Sequence, residues 1–288
     1  MKKNVLLLDG QTIQSLAFAK SLKKNNYCVT LFCDNKMSYG YRTRYADIKI
    51  ICPSVNENPK KFKKFLLEFL KSNKIHAVIP MNDYSAFFLS NNKLEFLKLT
   101  KFIIPDIEIF NSGYDKNRLM KICEIKNYPH PKTADLEMMN LSDAIDKVGF
   151  PSLIKPNITT GARGITLVNN EKELYDKYIS IKKEYGSCHL QEFVAEGSKQ
   201  FKVQLFINDK GKLVASTVIN KIRFYPEKGG SSCCNETIFH DNLVKLCYDV
   251  LKTLGWVGFA DFDLIQDSKN GISKIMEINP RVPACIKS

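Results

Sequence analysis

The side chains with the clearest chemical potential lie near the end of the chain. Ala260-Asp261-Phe262-Asp263-Leu264 reads as a strand, and strand side chains alternate, so Asp261 and Asp263 share one face. Met276-Glu277-Ile278-Asn279-Pro280-Arg281 does the same for Glu277, Asn279 and Arg281. Carboxylates inside apolar strands are costly to bury unless a cation or a partner offsets their charge. Asp263, Glu277 and Asn279 offer oxygen donors only, the set that Mg2+ takes while keeping waters and substrate phosphates in its shell. Arg281 could fork onto a phosphate or carboxylate, or close an internal salt bridge with Glu277 or Asp263.

Lys155 ends the run Ser152-Leu153-Ile154 and precedes Pro156, an odd choice for packing but a good point charge for a phosphate. In the loop 159–164, Gly161 and Gly164 permit close backbone approach and Arg163 adds charge. An ordinary β-hairpin would carry the same glycines. Leu190-Gln191-Glu192-Phe193-Val194 reads as a strand whose edge could meet an adenine, with Phe193 and Val194 as apolar walls, or as a strand and no more. Lys221-Ile222-Arg223-Phe224-Tyr225-Pro226 and Gly229-Gly230-Ser231-Ser232 fall between predicted strands. There Arg223, Ser231 and Ser232 could meet an anionic substrate group; a basic loop without that role fits as well.

The elements that must position these residues come in two styles. Residues 5–8, 29–33, 48–51 and 77–79 are short apolar strands, alternating with helical patterns over 15–24 and 62–70, which predicts a parallel sheet covered by helices. Ligands of such sheets sit beyond the carboxyl ends of the strands. After the first strand, however, Asp9-Gly10-Gln11-Thr12-Ile13-Gln14-Ser15 has one glycine where a dinucleotide fingerprint has three, which argues against nicotinamide binding despite Asp34 at the end of the second strand. From about residue 109 the pattern changes to α+β with antiparallel sheet, including helices over 142–148, 171–185 and 242–254 and a closing strand pair over 257–265 and 272–278.

Composition narrows the classes. The 288 residues are 44% hydrophobic, 25% charged and 11% aromatic, an ordinary globular balance that excludes a disordered chain and is long enough for two domains. No apolar run approaches the ~20 residues of a membrane span. Asp9 cuts the first apolar stretch short of a secretory h-region, so a cytoplasmic chain is expected. The net charge of +13 is concentrated in residues 1–144, with 23 Lys/Arg against 14 Asp/Glu. It suits anionic partners or a solvated lysine-rich surface; without aromatic–basic interleaving, nucleic acid is disfavoured. Nine scattered cysteines lack any C-x-x-C and predict free thiols, and four isolated histidines support no Cys–His or Ser–His–Asp site.

Taken together, Asp115-Lys116, Ile154-Lys155-Pro156, Gly161-x-x-Gly164, Gln191-Glu192-Phe193-Val194, Asp263 and Glu277-Ile278-Asn279-Pro280-Arg281 resemble the ATP-grasp superfamily, in its order and over nearly the whole chain. Val78-Ile79-Pro80-Met81-Asn82-Asp83 looks like the family's segment before the lid. The likeness is to carbamoyl-phosphate-synthase-like and carboxylate–amine ligase members.

The resemblance implies α/β plus α+β architecture: a flavodoxin- or Rossmann-like preceding domain over 1–108, then an ATP-grasp domain over 109–288. The latter would divide into a lid subdomain of about 118–189 and a metal-binding sheet subdomain of about 190–288. It implies that Lys116 and Lys155 hold nucleotide phosphates, that 159–164 closes over the triphosphate, and that Glu192 and the backbone near Val194 hold the adenine. Asp263, Glu277 and Asn279 would bind Mg2+, with Mn2+ as a substitute, and Arg281 would grip the transferred phosphoryl group or a substrate carboxylate. The implied activity is ATP-dependent activation of a carboxylate as an acylphosphate for capture by an amine; the alternatives are an ATP-binding module without turnover, or phosphoryl transfer to a small carboxylate. Partners would be small carboxylates and amines, with a homodimer as the assembly and no membrane. Two departures stand out. Gln200 occupies the position where relatives place an acidic ribose ligand, leaving Glu196 as the substitute, and the chain ends seven residues past Arg281, implying a shortened C-terminus.

Overall fold

The computed structural model describes residues 2–159, 163–194, 197–225 and 231–285, with the side chain of Ser231 excepted. In the N-terminal part, β1 (Asn4–Leu7), β2 (Cys28–Cys33), β3 (Ile48–Ile51) and β4 (Ala77–Ile79) pair in parallel in the order β3-β2-β1-β4. Helices α1 (Ile13–Lys24), α2 (Tyr39–Arg42), α3 (Pro59–Ser72), α4 (Asp83–Asn91) and α5 (Lys93–Phe96) accompany them. The sequence dictates α3 in detail. Asn58 caps it by accepting from the Lys61 amide, Pro59 begins it, and Phe62, Leu66 and Leu70 recur on one buried stripe while Lys60, Lys61 and Lys64 stay exposed.

The single glycine after β1 has a packing task. The Gly40 amide donates to the Gly10 carbonyl at 2.6 Å, and a Cβ at Gly40 would lie 2.7 Å from that oxygen. The Asp9 carboxylate crosses to the next turn, accepting from the amides of Met81 and Asn82 and from the Ser85 hydroxyl. These bonds tie the turn after β1 to the one after β4 and fix the start of α4, where Asp83 lies.

The rest of the chain builds two antiparallel sheets. After α6 (Ile107–Tyr114) and α7 (Lys116–Ile125), β5 (Thr133–Asp135), α8 (Leu141–Val148), β6 (Ser152–Pro156), β7 (Thr166–Val168), α9 (Glu171–Tyr185) and β8 (Cys188–Glu192) form a small unit with strand order β5-β8-β6-β7. Then β9 (Gln200–Ile207), β10 (Leu213–Tyr225), β11 (Ser231–Ile238), α10 (Asp241–Leu254), β12 (Gly258–Gln266) and β13 (Ser273–Asn279) give a sheet ordered β11-β10-β9-β12-β13. One face of that sheet, with Val203, Leu205, Phe262, Leu264 and Ile278, packs on α10 and on Leu119, Met120 and Cys123 of α7. On the opposite face the same strands present Lys202, Gln204, Asp261, Asp263, Glu277 and Asn279, with Phe206 and Phe259 toward one end.

One expectation needs correction. Arg223, Ser231 and Ser232 do not lie in an inter-strand loop: β10 continues to Tyr225, and Ser231 and Ser232 begin β11. Cross-strand pairing from Val218↔Ile238 to Tyr225↔Ser231 satisfies backbone groups that the basic composition of this stretch had suggested were in a loop. A bulge at Lys221–Phe224 breaks the regular alternation there. Among the described residues no disulfide joins the nine cysteines, and no helix is long and apolar enough to cross a membrane.

Candidate active site

The polar face of the five-stranded sheet gathers the acidic residues. Asp263 sits directly opposite Glu277, and Asp261 opposite Asn279, on adjacent β12 and β13. Asn279 donates its side-chain amide to the Asp263 carboxylate at 3.1 Å and to the Asp261 carbonyl at 3.2 Å. Two residues with little signal in the sequence join them. Lys202, opposite Asp263 on β9, reaches Asp261 at 2.8 Å and Asp263 at 2.9 Å. Lys221 of β10 reaches the other Asp263 oxygen at 2.5 Å and Gln200 at 3.5 Å.

Burial opposes ionisation of Asp263, but Lys202 and Lys221 hold its carboxyl far below the usual carboxylate range. For Asp261 burial prevails and its carboxyl titrates high, despite Lys202. Its Oδ1 has no hydrogen-bond partner among the described residues.

The two lysines expected to hold phosphates face this cluster from the other side. Asp115 caps α7 by accepting from the Arg118 amide, which aims Lys116 inward, and the Lys116 amide donates to the Asn157 carbonyl at 3.0 Å. The Lys116 ammonium lies 3.2 Å from Glu277 and donates to the Thr159 carbonyl at 3.0 Å. On β6, Lys155 is buried and donates to Gln191 at 2.6 Å, and Gln191 in turn donates to Thr133 at 3.2 Å. Burial lowers the Lys155 ammonium to about 8; Glu277 and Asp263 act in the opposite direction and Lys116 in the same one. Lys155, Lys116, Glu277 and Asp263 are therefore close enough to sense one another, although they come from α7 and two different sheets.

His189, directly across from Lys155, donates its Nδ1–H to the Asn157 side-chain oxygen at 2.8 Å. Burial and the two lysines keep its imidazole neutral.

Arg281 spans a third boundary. Its Nε is 3.3 Å from Asp83 at the start of α4, and its Nη1 is 3.8 Å from Asp261. It pairs with these two acids rather than with Glu277 or Asp263, because Lys116 takes Glu277 and the β9 and β10 lysines take Asp263.

The remaining candidates are distributed more loosely. The Glu192 carboxylate is held by Lys274 at 3.0 Å and by the Lys132 amide at 3.0 Å, so its side chain braces the junction between the sheets. Phe193 is half-buried, its amide donating to the Pro151 carbonyl, and Val194 is buried. Gly164 has φ +74°, and a Cβ there would meet Pro156 and Tyr185 within 3 Å. Arg163 is exposed. Gly161 and Glu196 lie outside the described residues. Arg223 is exposed on β10, and Ser232 donates to Asn235 at 2.7 Å.

Of the residues to which the sequence gave no role, Lys202, Lys221, Lys274 and His189 are the most engaged. The one available hint for Lys202 was a cation at a polar position of Gln200-Phe201-Lys202-Val203-Gln204, an otherwise alternating strand.

The donor set is suited to a hard dication. Asp263, Glu277 and Asn279 are adjacent in register and offer oxygens only. Among the described residues no group of three or more His, Cys, Asp or Glu side chains is placed to hold a metal; this set is two carboxylates and an amide, and ammonium groups sit on the same oxygens.

Solved structures of other proteins share the fold. Biotin carboxylase from Campylobacter jejuni superposes with TM-score 0.80 at 16% identity over 98% of this chain and 66% of its own. The biotin carboxylase domain of 2-oxoglutarate carboxylase from Hydrogenobacter thermophilus, crystallised with MgADP and bicarbonate, gives 0.77 at 19% identity over 98% and 65%. D-alanine–D-alanine ligase from Bacillus anthracis gives 0.66 at 19% identity over 97% and 87%. The chain thus spans about two thirds of the length of the biotin carboxylases it resembles. No curated protein sequence matches it. The sequence description of the carbamoyl-phosphate synthase L chain, ATP binding domain, matches residues 115–285, more than half of the chain, and the chain belongs to that family.

Proposed function

We propose that the chain is an ATP- and Mg2+-dependent ligase that activates a carboxylate as an acylphosphate for capture by an amine or another nucleophile. The observation that supports this most is the approach of two inward lysines, Lys116 and Lys155, to the Asp263–Glu277–Asn279 set from different elements. In this reading residues 1–108 are a flavodoxin- or Rossmann-like preceding domain. Residues 109–288 are the ATP-grasp domain, with a lid of about 118–189 and a metal-binding sheet of about 190–288.

Lys116 and Lys155 hold the nucleotide's phosphates, with the backbone near Val194 against the adenine. Asp263, Glu277 and Asn279 hold Mg2+, which neutralises charge on the phosphate oxygens. Arg281, fixed by Asp83 and Asp261, orients the anion that attacks. A carboxylate oxygen forms a bond to the γ-phosphorus as the bond to ADP breaks. The amine then bonds to the acyl carbon and phosphate leaves. The chain needs no nucleophile of its own for this, only positioning and charge.

The test is thermal unfolding with ATP and Mg2+. At 100 times Kd, wild type should gain about 2.7 kcal/mol, and Lys155→Met and Glu277→Gln should lose most of that gain. Phosphate release with a panel of carboxylates and amines then separates a ligase from a binding module without turnover. A wild type that ATP·Mg2+ does not stabilise would refute the assignment.

A further inference from the structure

We infer that Lys202 and Lys221 form, beside Arg281, a receptor for the carboxylate of the substrate to be activated. The inference rests on the nucleotide-dependent reading above and adds residues that nothing in it requires.

The geometry of the pair is the main argument. Asp263 places one oxygen 2.9 Å from Lys202 and the other 2.5 Å from Lys221. The two ammonium groups, from neighbouring β9 and β10, are therefore already spaced to take the two oxygens of a single carboxylate, one each. Asp263 acts as an internal template for such a ligand. Should Asp263 turn its charge to a dication, the pair is left with the geometry and the need for another carboxylate.

Stability does not account for the arrangement. Buried ion pairs can be exchanged for apolar residues of similar volume at little or no cost, and the same strands elsewhere carry Val, Leu and Ile. Depth points the same way. Asp261 beneath is 1% exposed, whereas Lys202 and Lys221 are 17% and 11% exposed and lie nearer the open side.

The charge balance also favours an incoming anion. Lys116, Lys155, Lys202, Lys221 and Arg281 are linked through contacts or mutual electrostatics to Asp83, Asp261, Asp263 and Glu277, five cations to four acids. Lys202, Lys221 and Arg281 match Asp83, Asp261 and Asp263 three to three, so this end gains a surplus cation once Asp263 gives its charge to a dication.

Calorimetric titration of the protein saturated with ADP and Mg2+ provides the test, with acetate, bicarbonate, L-alanine and L-aspartate as carboxylate probes and inorganic phosphate as the competing oxyanion. At least one carboxylate should bind wild type, about tenfold or more weaker in Lys202→Met and in Lys221→Met, since each removes a charge-assisted bond. Lys221→Arg should retain binding within about threefold, and melting curves should show each variant folded. ADP affinity should stay within about threefold throughout, which separates this site from the nucleotide's. The inference is overturned if no carboxylate binds wild type, if the Met variants bind it as well as wild type does, if ADP affinity falls in parallel, or if phosphate alone is lost. A wild type that fails to bind ADP at all would instead remove the nucleotide reading, and this inference with it.

Discussion

Arg281 joins the N-terminal unit to the acidic sheet, and its removal should be costly in a pH-dependent way. It lies 3.3 Å from Asp83 and 3.8 Å from Asp261, and the three side chains are 19%, 8% and 1% exposed. Arg281→Met leaves two carboxylates buried without their shared cation. Breaking a buried pair in this manner costs about 3–5 kcal/mol, and for a chain of this size roughly 2–4 °C of Tm accompanies each kcal/mol. A Tm lower by about 10 °C at neutral pH is expected.

Burial already raises both carboxyls with the arginine present, and the variant raises them further. A carboxyl whose folded value exceeds its unfolded value of about 4 binds more protons folded than unfolded, so stability falls as pH rises through that interval. The deficit of Arg281→Met should therefore be greatest near pH 7.5 and shrink toward pH 5. Scanning calorimetry of both proteins at pH 5, 6 and 7.5 measures it, and Arg281→Met with Asp261→Asn should recover part of the loss. A Tm within 1–2 °C of wild type by this measure, or an equal deficit at pH 5 and 7.5, would refute the reasoning.

Three further outcomes are expected. Lys155 titrates at about 8 because of its burial, so nucleotide affinity should fall above that pH, and binding near pH 8–9 should take up a proton, seen as a dependence of the measured heat on buffer ionisation. The same lysine acts on stability in the opposite sense. Between about 8 and 10.5 the unfolded chain binds the extra proton, so its contribution to stability rises with pH across that window; nucleotide binding without proton uptake would contradict it. Gly40→Ala should destabilise by about 1–3 kcal/mol, because its methyl would meet the Gly10 backbone at 2.7–2.8 Å; an unchanged midpoint in denaturant would show that the turn yields freely.

Much of the architecture was legible from residue order. Short apolar strands separated by amphipathic helices required a parallel sheet near the start, and the later alternation of polar and apolar residues required antiparallel sheet. Alternation also placed Asp261 with Asp263, and Glu277 with Asn279, because a period of two is a local property of the extended backbone. The elements α2, α4, α5, α6 and β5 were missed: three- and four-residue segments carry too little periodicity to read, and α4 hides its buried face among Ser85, Ala86, Leu89 and Ser90.

What local order could not decide is which charges meet. Lys202 looks like a surface lysine until β9 is hydrogen-bonded beside β12, and then it faces two aspartates. Asp83 is a helix-start acid until the chain returns 198 residues later with Arg281. Glu192 stands in the hinge motif of the resemblance, and its pairing with Lys274 of β13 appears only in the fold. Secondary structure follows from near neighbours. Ion pairing follows from strand order and from which groups lose water together, and both are set only when distant segments pack.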